Sequence, residues 1–165
     1  MIFGMSLSAF TTLHVVISLI GIAAGIVVLF GMFVSNPLPG WTALFLGATI
    51  LTSATGFLFP FTKLLPSHVV GIISLAILAV TVFALYSYNL AGRWRWIYVC
   101  GAVLALYLNT FVAVVQAFAK IPALKQLAPT QAEPPFAIAQ GVVLLIFIAA
   151  FVGAVRAFHP PLPSR

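Results

Sequence analysis

Charge is what this sequence has least of. Among 165 residues there is one acidic side chain, Glu133, and there are seven lysines and arginines, so charged residues make up 5% of the chain. A soluble domain carries roughly a quarter, and a water-facing surface cannot be built from so few. Cysteine occurs once, at Cys100 inside a hydrophobic run, which excludes an internal disulfide and thiol–disulfide chemistry within the chain. Phosphate-binding glycine loops, nucleophile constellations and paired redox cysteines are also missing, and nothing in the chain points to an enzyme. No lipidation box is present. The opening MIFGMSLSAF lacks the positive region of a signal peptide, so the first apolar run is expected to be retained as a span.

What the chain has instead is apolar length. Hydrophobic residues make up 64%, and the mean hydropathy is +1.26. The composition predicts an integral membrane protein whose principal partner is the lipid bilayer. A net charge of +6 and a pI near 10.1 would suggest nucleic acid in a soluble protein. Here the basic residues are scattered at segment ends, where they act as topology signals and headgroup contacts, and no nucleic-acid partner is expected.

A helix needs about 20 mostly apolar residues to span. Five runs qualify, at 11–34, 41–61, 67–87, 95–119 and 135–158. They are separated by Ser35-Asn36-Pro37-Leu38-Pro39-Gly40, by a break around Pro60 to Pro66, by a basic-aromatic turn at Gly92–Trp96, and by the linker Lys120–Glu133. The runs lack period-two alternation and are too long for barrel strands. The expected fold is an all-α membrane bundle of five transmembrane helices forming a single domain over residues 1–165. His-Val-Val opens both the first and third runs, at His14 and His68, and Trp41 and Trp96 stand at the openings of the second and fourth. These near-equal offsets fit a duplicated two-helix hairpin followed by one added helix.

With five spans the ends divide between two faces. Face A takes the N-terminus, the Thr62–Ser67 loop and the 120–133 linker, with Lys63, Lys120 and Lys125. Face B takes the 35–40 turn, the 89–95 turn and the C-terminal tail, with Arg93, Arg95, Arg156, Arg165 and all three tryptophans. The basic majority on B places it in the cytoplasm, with the N-terminus outside, in an inner membrane of bacterial type.

The polar residues then collect on one side. His14 and His68 lie early in parallel spans near face A, Gln116 and Gln140 come at a similar level, and Glu133 sits in the adjoining linker. Ionisable groups within spans are costly and need a partner or a purpose. Neutral imidazoles on two parallel helices can supply both axial ligands of a b-type haem. With Glu133 they form a plausible first shell for a transition metal, and they can hydrogen-bond a quinone headgroup. Ser67 is placed to cap the third helix before His68. Asn109, near mid-span, is a candidate interhelical bond or solute contact, together with Gln116. Thr11, His14, Ser18, Gly21 and Gly25 form a small and polar stripe that turns His14 into the bundle; Thr49, Thr52, Ser53 and Gly56 form another. Three functions follow as expectations: a haem, quinone or metal site serving electron transfer, a small-solute transporter or channel, or a structural subunit of a homo-oligomer or larger membrane complex.

Overall fold

The computed structural model describes residues 4–60 and 66–160. Every regular element among them is helical: α1 (Leu7–Phe33), α2 (Pro39–Gly56), α3 (Pro66–Val82), α4 (Arg93–Lys120), α5 (Pro122–Leu127) and α6 (Pro134–Ala157). A π-helical turn, Phe83–Ser87, extends α3. Among the described residues four helices are long and apolar enough to cross a membrane: α1, α3 with its π turn, α4 and α6.

Local chemistry accounts for most boundaries. Ser6 caps α1 by accepting a hydrogen bond from the Ala9 N–H at 3.2 Å. Proline opens α2, α5 and α6, where a missing N–H costs nothing. The α3–α4 turn uses left-handed backbone at Asn89 (φ 47°), Leu90 (φ 59°) and Gly92 (φ 54°), and burial of the Leu90 side chain holds it there.

Two boundaries differ from the sequence expectation. The second helix stops at Gly56 rather than running to residue 61. Pro60 lacks a donor and disfavours helical backbone at Phe59, so the chain turns at Phe57–Phe59 instead. At 18 residues and carrying Thr42, Thr49, Thr52, Ser53 and Thr55, α2 is not among the four long apolar helices. The 120–133 linker is not featureless either, because Pro122 starts the short helix α5. Phe61, Lys63 and most of the Thr62–Ser67 loop lie outside the described residues, as does Arg165.

Helix α4 is the hub. It packs against α1, α2, α3, α5 and α6, while α1 pairs closely with α2, and α2 also meets α3. Its buried face carries Tyr98, Val99, Ala102, Ala105, Leu106 and Asn109. Phe45 and Leu46 of α2, Val28 and Met32 of α1 and Leu78 of α3 pack into the same core. The α1 stripe turns inward as the sequence suggested. A methyl group on Gly25 would lie 2.6 Å from Leu106 Cδ1 and 2.8 Å from Phe45 Cδ2, so its absence lets the three helices approach.

Face B is tied together by specific bonds. The His159 N–H donates to Ser35 Oγ at 2.7 Å, joining the tail to the α1–α2 turn. Arg95 donates to the carbonyls of Val155 and Phe158, at 3.3 and 2.5 Å. It therefore caps the C-terminus of α6, where a cation is favoured, rather than simply reaching outward as the basic-aromatic motif suggests. Trp94 stacks on Tyr88 with ring centroids 3.9 Å apart, whereas Trp41 and Trp96 are exposed.

Candidate functional site

The polar side chains expected to gather near face A do so in part, around a small chamber where α1, α2, α3 and α4 meet. His14, Thr52, Ser53, Gly56, Ser67, Gly71, Ser74 and Asn109 line it, with Val70, Leu108 and Val112 completing the wall. Its volume is about 90 Å³. Among the described residues no Asp, Glu, Lys or Arg contributes to the lining.

Most of these polar groups are positioned by an identifiable bond. His14 Nδ1 lies 2.8 Å from Thr55 Oγ1. The Thr55 hydroxyl proton is already committed to the Leu51 carbonyl, at 2.6 Å, so the threonine oxygen accepts and the ring donates from Nδ1. In the neutral ring that leaves Nε2 as a hydrogen-bond acceptor. Phe59 packs edge-on against the same ring at 5.2 Å between centroids. On the opposite wall, Ser18 Oγ donates to Asn109 Oδ1 at 2.9 Å. The Asn109 amide reaches the Ser18 carbonyl only at 3.5 Å, so much of its donor capacity is unspent. Gly21 makes room for it: a methyl there would lie 3.3 Å from Asn109 Nδ2 and 3.2 Å from Thr49 Oγ1. Ser53 and Ser74 join α2 to α3 through a hydroxyl pair at 3.2 Å. Thr49 and Thr52 instead satisfy themselves on the carbonyls of Phe45 and Ala48.

The two histidines take different places. Both pack against the C-terminal end of α2, but His14 meets Thr55 and Phe59 whereas His68 stacks on Phe57, with centroids 5.7 Å apart and planes at 26°. His68 is buried and is not among the chamber-lining residues. Its helix begins at Pro66, so Ser67 lies within the first turn rather than capping it, and lines the chamber. His14 is one turn deeper into its own helix than His68, because α1 begins upstream at Leu7. The shared His-Val-Val thus marks two different environments.

Glu133 is not delivered to the histidines. Its carboxylate accepts from the Thr130 hydroxyl (2.8 Å), the Thr130 N–H (3.2 Å) and the Ala132 N–H (3.1 Å), closing a turn within its own linker. Desolvation pushes its pKa up, but the Thr130 hydroxyl and the surrounding backbone N–H groups outweigh it and hold the carboxyl below its ordinary range. Gln131 pins the linker to α4 by donating to the Val115 carbonyl at 2.9 Å. Among the described residues no three His, Cys, Asp or Glu side chains come together to hold a metal ion, so the set His14, His68 and Glu133 is not assembled. Gln116 is exposed one turn beyond Val112, the last α4 residue of the chamber wall. Gln140 donates to the Phe111 carbonyl at 3.2 Å and bridges α6 to α4 away from the chamber; its own Oε1 is buried with no donor among the described residues.

Volume decides between ligand classes. A drug-sized ligand needs a pocket of roughly 300–1,000 Å³. The chamber, at about 90 Å³, falls below that range and has room for a few water molecules. Sequence reasoning found His14 and Asn109 but missed Ser53, Ser67 and Ser74 as a group. The signal available for Ser53 was its place on the hydroxyl stripe of the second run, whereas Ser67 and Ser74 lie seven residues apart on one face of the third. No protein-family model, curated protein or solved structure matches this chain.

Proposed function

We propose that this chain is an integral membrane bundle of five spans that admits a small, neutral, hydrogen-bonding molecule into the His14–Asn109 chamber from face A. The observation that carries the reading is the chamber itself: polar groups from four helices converge on one space without a charged side chain among the described residues. Neutral walls suit a neutral guest, since an ion stripped of water would meet no compensating charge. The available chemistry is balanced, with an acceptor at His14 Nε2, donors on the Asn109 amide, and serine hydroxyls that do either. A solute of about three to five non-hydrogen atoms fits, and water is its smallest member. This reading joins the binding and small-solute transport functions expected from sequence, with haem, quinone and metal set aside.

The membrane setting rests on the outside of the bundle. Phe30, Leu51, Ile72, Val80, Leu145 and Ile146 are among many large apolar side chains at least half exposed, far beyond the apolar patch a soluble monomer tolerates. As the fifth span, α2 is about 27 Å long at 1.5 Å per residue, close to the roughly 30 Å hydrocarbon thickness. Its hydroxyls face the chamber or bond their own helix, so lipid meets little polarity there. Arg93, Arg95 and Arg156 on face B, against Lys120 and Lys125 on face A, favour a cytoplasmic C-terminus.

Cysteine accessibility tests the proposal. In a Cys100→Ser background, Ser74→Cys should react with a small uncharged thiol reagent, whereas Leu106→Cys, buried below the chamber, should not. Equal reactivity at the two positions refutes an accessible chamber. Protection of the Ser74→Cys thiol by a panel of neutral solutes then identifies the guest class.

A further inference from the structure

A second feature lies on the far side of α4. Between α3 and α6 the outer surface of α4 forms the floor of an apolar groove, made of two adjoining cavities of about 550 and 230 Å³. Trp96, Cys100, Leu104 and Tyr107 run along the floor, with Val80 on one wall and Phe151 on the other. We propose that this groove binds an anionic phospholipid of the face-B leaflet, one acyl chain lying along α4 and the phosphate at Arg93.

Three observations select that occupant. The first is length. From Trp96 to Tyr107 the floor rises about 17 Å, close to one leaflet's share, about 15 Å, of the hydrocarbon core. The groove closes beyond that depth, where Gln140 bonds the Phe111 carbonyl and Phe136 packs edge-on against Phe118, drawing α6 onto α4. A partner helix would require a groove running the full thickness of the bilayer. The second is register. Arg93, Cys100 and Tyr107 are spaced by sevens and share one face of α4, so the stripe that forms the groove floor ends in a guanidinium at face B. The third is charge. Arg93 is exposed and makes no hydrogen bond or ion pair among the described residues, whereas its neighbour Arg95 is spent on the end of α6. The chain's one carboxylate side chain is on the opposite face. A phosphate is the complementary group that the bilayer supplies at that level, and an arginine binds it with two parallel N–H donors.

The proposal rests on the chain spanning a bilayer, not on the chamber having a guest. Native mass spectrometry of the purified full chain, titrated with phosphatidylglycerol or with phosphatidylcholine of identical acyl chains, tests it directly. The wild-type protein should retain phosphatidylglycerol about fivefold better, the preference expected of one arginine at the headgroup level. Arg93→Gln should bring that ratio to about one, and Arg156→Gln should leave it unchanged. Cys100→Phe, which fills the floor at an exposed position, should reduce retention of both lipids. Equal retention by the wild type, an equal effect of Arg156→Gln, or full retention by Cys100→Phe overturns the assignment. A dimer mass lost on Cys100→Phe overturns it in favour of a second copy of the chain. Asn109→Leu, which alters the chamber alone, should not change lipid retention, so failure of one proposal is distinguishable from failure of the other.

Discussion

Replacing Ser18 by alanine measures whether the chamber is wet. In the wild type the serine hydroxyl donates to Asn109 Oδ1 at 2.9 Å, on the chamber wall. Ser18→Ala removes that donor and leaves the Asn109 carbonyl oxygen without it. In a dry interior an orphaned acceptor costs about 1–3 kcal/mol. With water present the oxygen takes a new donor, and the loss should fall to about 0.6 kcal/mol, the mean for interhelical bonds in membrane proteins. The reverse change behaves differently. After Asn109→Ala, the Ser18 hydroxyl can bond the carbonyl four residues earlier, as Thr11 and Thr12 already do with Leu7 and Ser8. The double-mutant cycle should therefore give a coupling near 0.6 kcal/mol, roughly threefold in the unfolding equilibrium. Reversible unfolding in mixed detergent micelles reads all four corners. A Ser18→Ala cost above about 2 kcal/mol refutes a hydrated chamber, and a coupling within about 0.3 kcal/mol of zero refutes the bond itself.

Three further outcomes are expected. A methyl group at Gly101 would drive into the Thr81 hydroxyl where α3 meets α4, so Gly101→Ala should cost about 1–3 kcal/mol in the same unfolding assay and be relieved by Thr81→Ala. Arg95→Gln should release the end of α6, seen as faster hydrogen exchange at Phe158 and His159 with α1–α4 unchanged, at a cost of roughly 1.5–3 kcal/mol for bonds from a charged donor. The Glu133 turn should open on acidification. Its folded pKa lies below the unfolded value, so its contribution is complete above the ordinary carboxylate range and disappears as pH falls through the lowered folded value. The protection factors of the Thr130 and Ala132 amides, taken against the intrinsic exchange rate at each pH, should fall in that window for the wild type and stay constant in Glu133→Gln.

The long apolar helices were legible because apolar length and proline punctuation are local properties. Pro39 and Pro134 fix helix starts whatever the tertiary context, and the bounds of α4 and α6 lie within about two residues of the runs read from sequence. The inward stripe of α1 was legible for the same reason, since Ser18, Gly21 and Gly25 recur at helical spacing. The site was less so, because its membership depends on where helices stop. Gln116 shares a helical face with Asn109, yet the chamber wall of α4 ends at Val112 and Gln116 lies beyond it in the open. Glu133 had a local alternative that spacing does not reveal: a threonine three residues earlier, in a turn able to close on itself.

The histidines show how a repeated motif can mislead about chemistry while pointing at the right place. Identical His-Val-Val openings imply equivalent rings only if the two helices start at equivalent heights and meet equivalent neighbours. Here α1 extends well upstream of His14 whereas α3 begins just before His68, and the end of α2 offers Thr55 to one ring and Phe57 to the other. A threonine whose proton is already committed fixes its imidazole as a donor at Nδ1 and leaves Nε2 to accept. The other imidazole stacks on an aromatic face. One ring lines the polar chamber and the other does not, so substitution should separate them. His14→Phe should abolish solute protection of the Ser74→Cys thiol with little loss of stability, while His68→Phe should preserve protection. If His68→Phe removes protection while His14→Phe does not, the chamber as drawn is not where the guest binds.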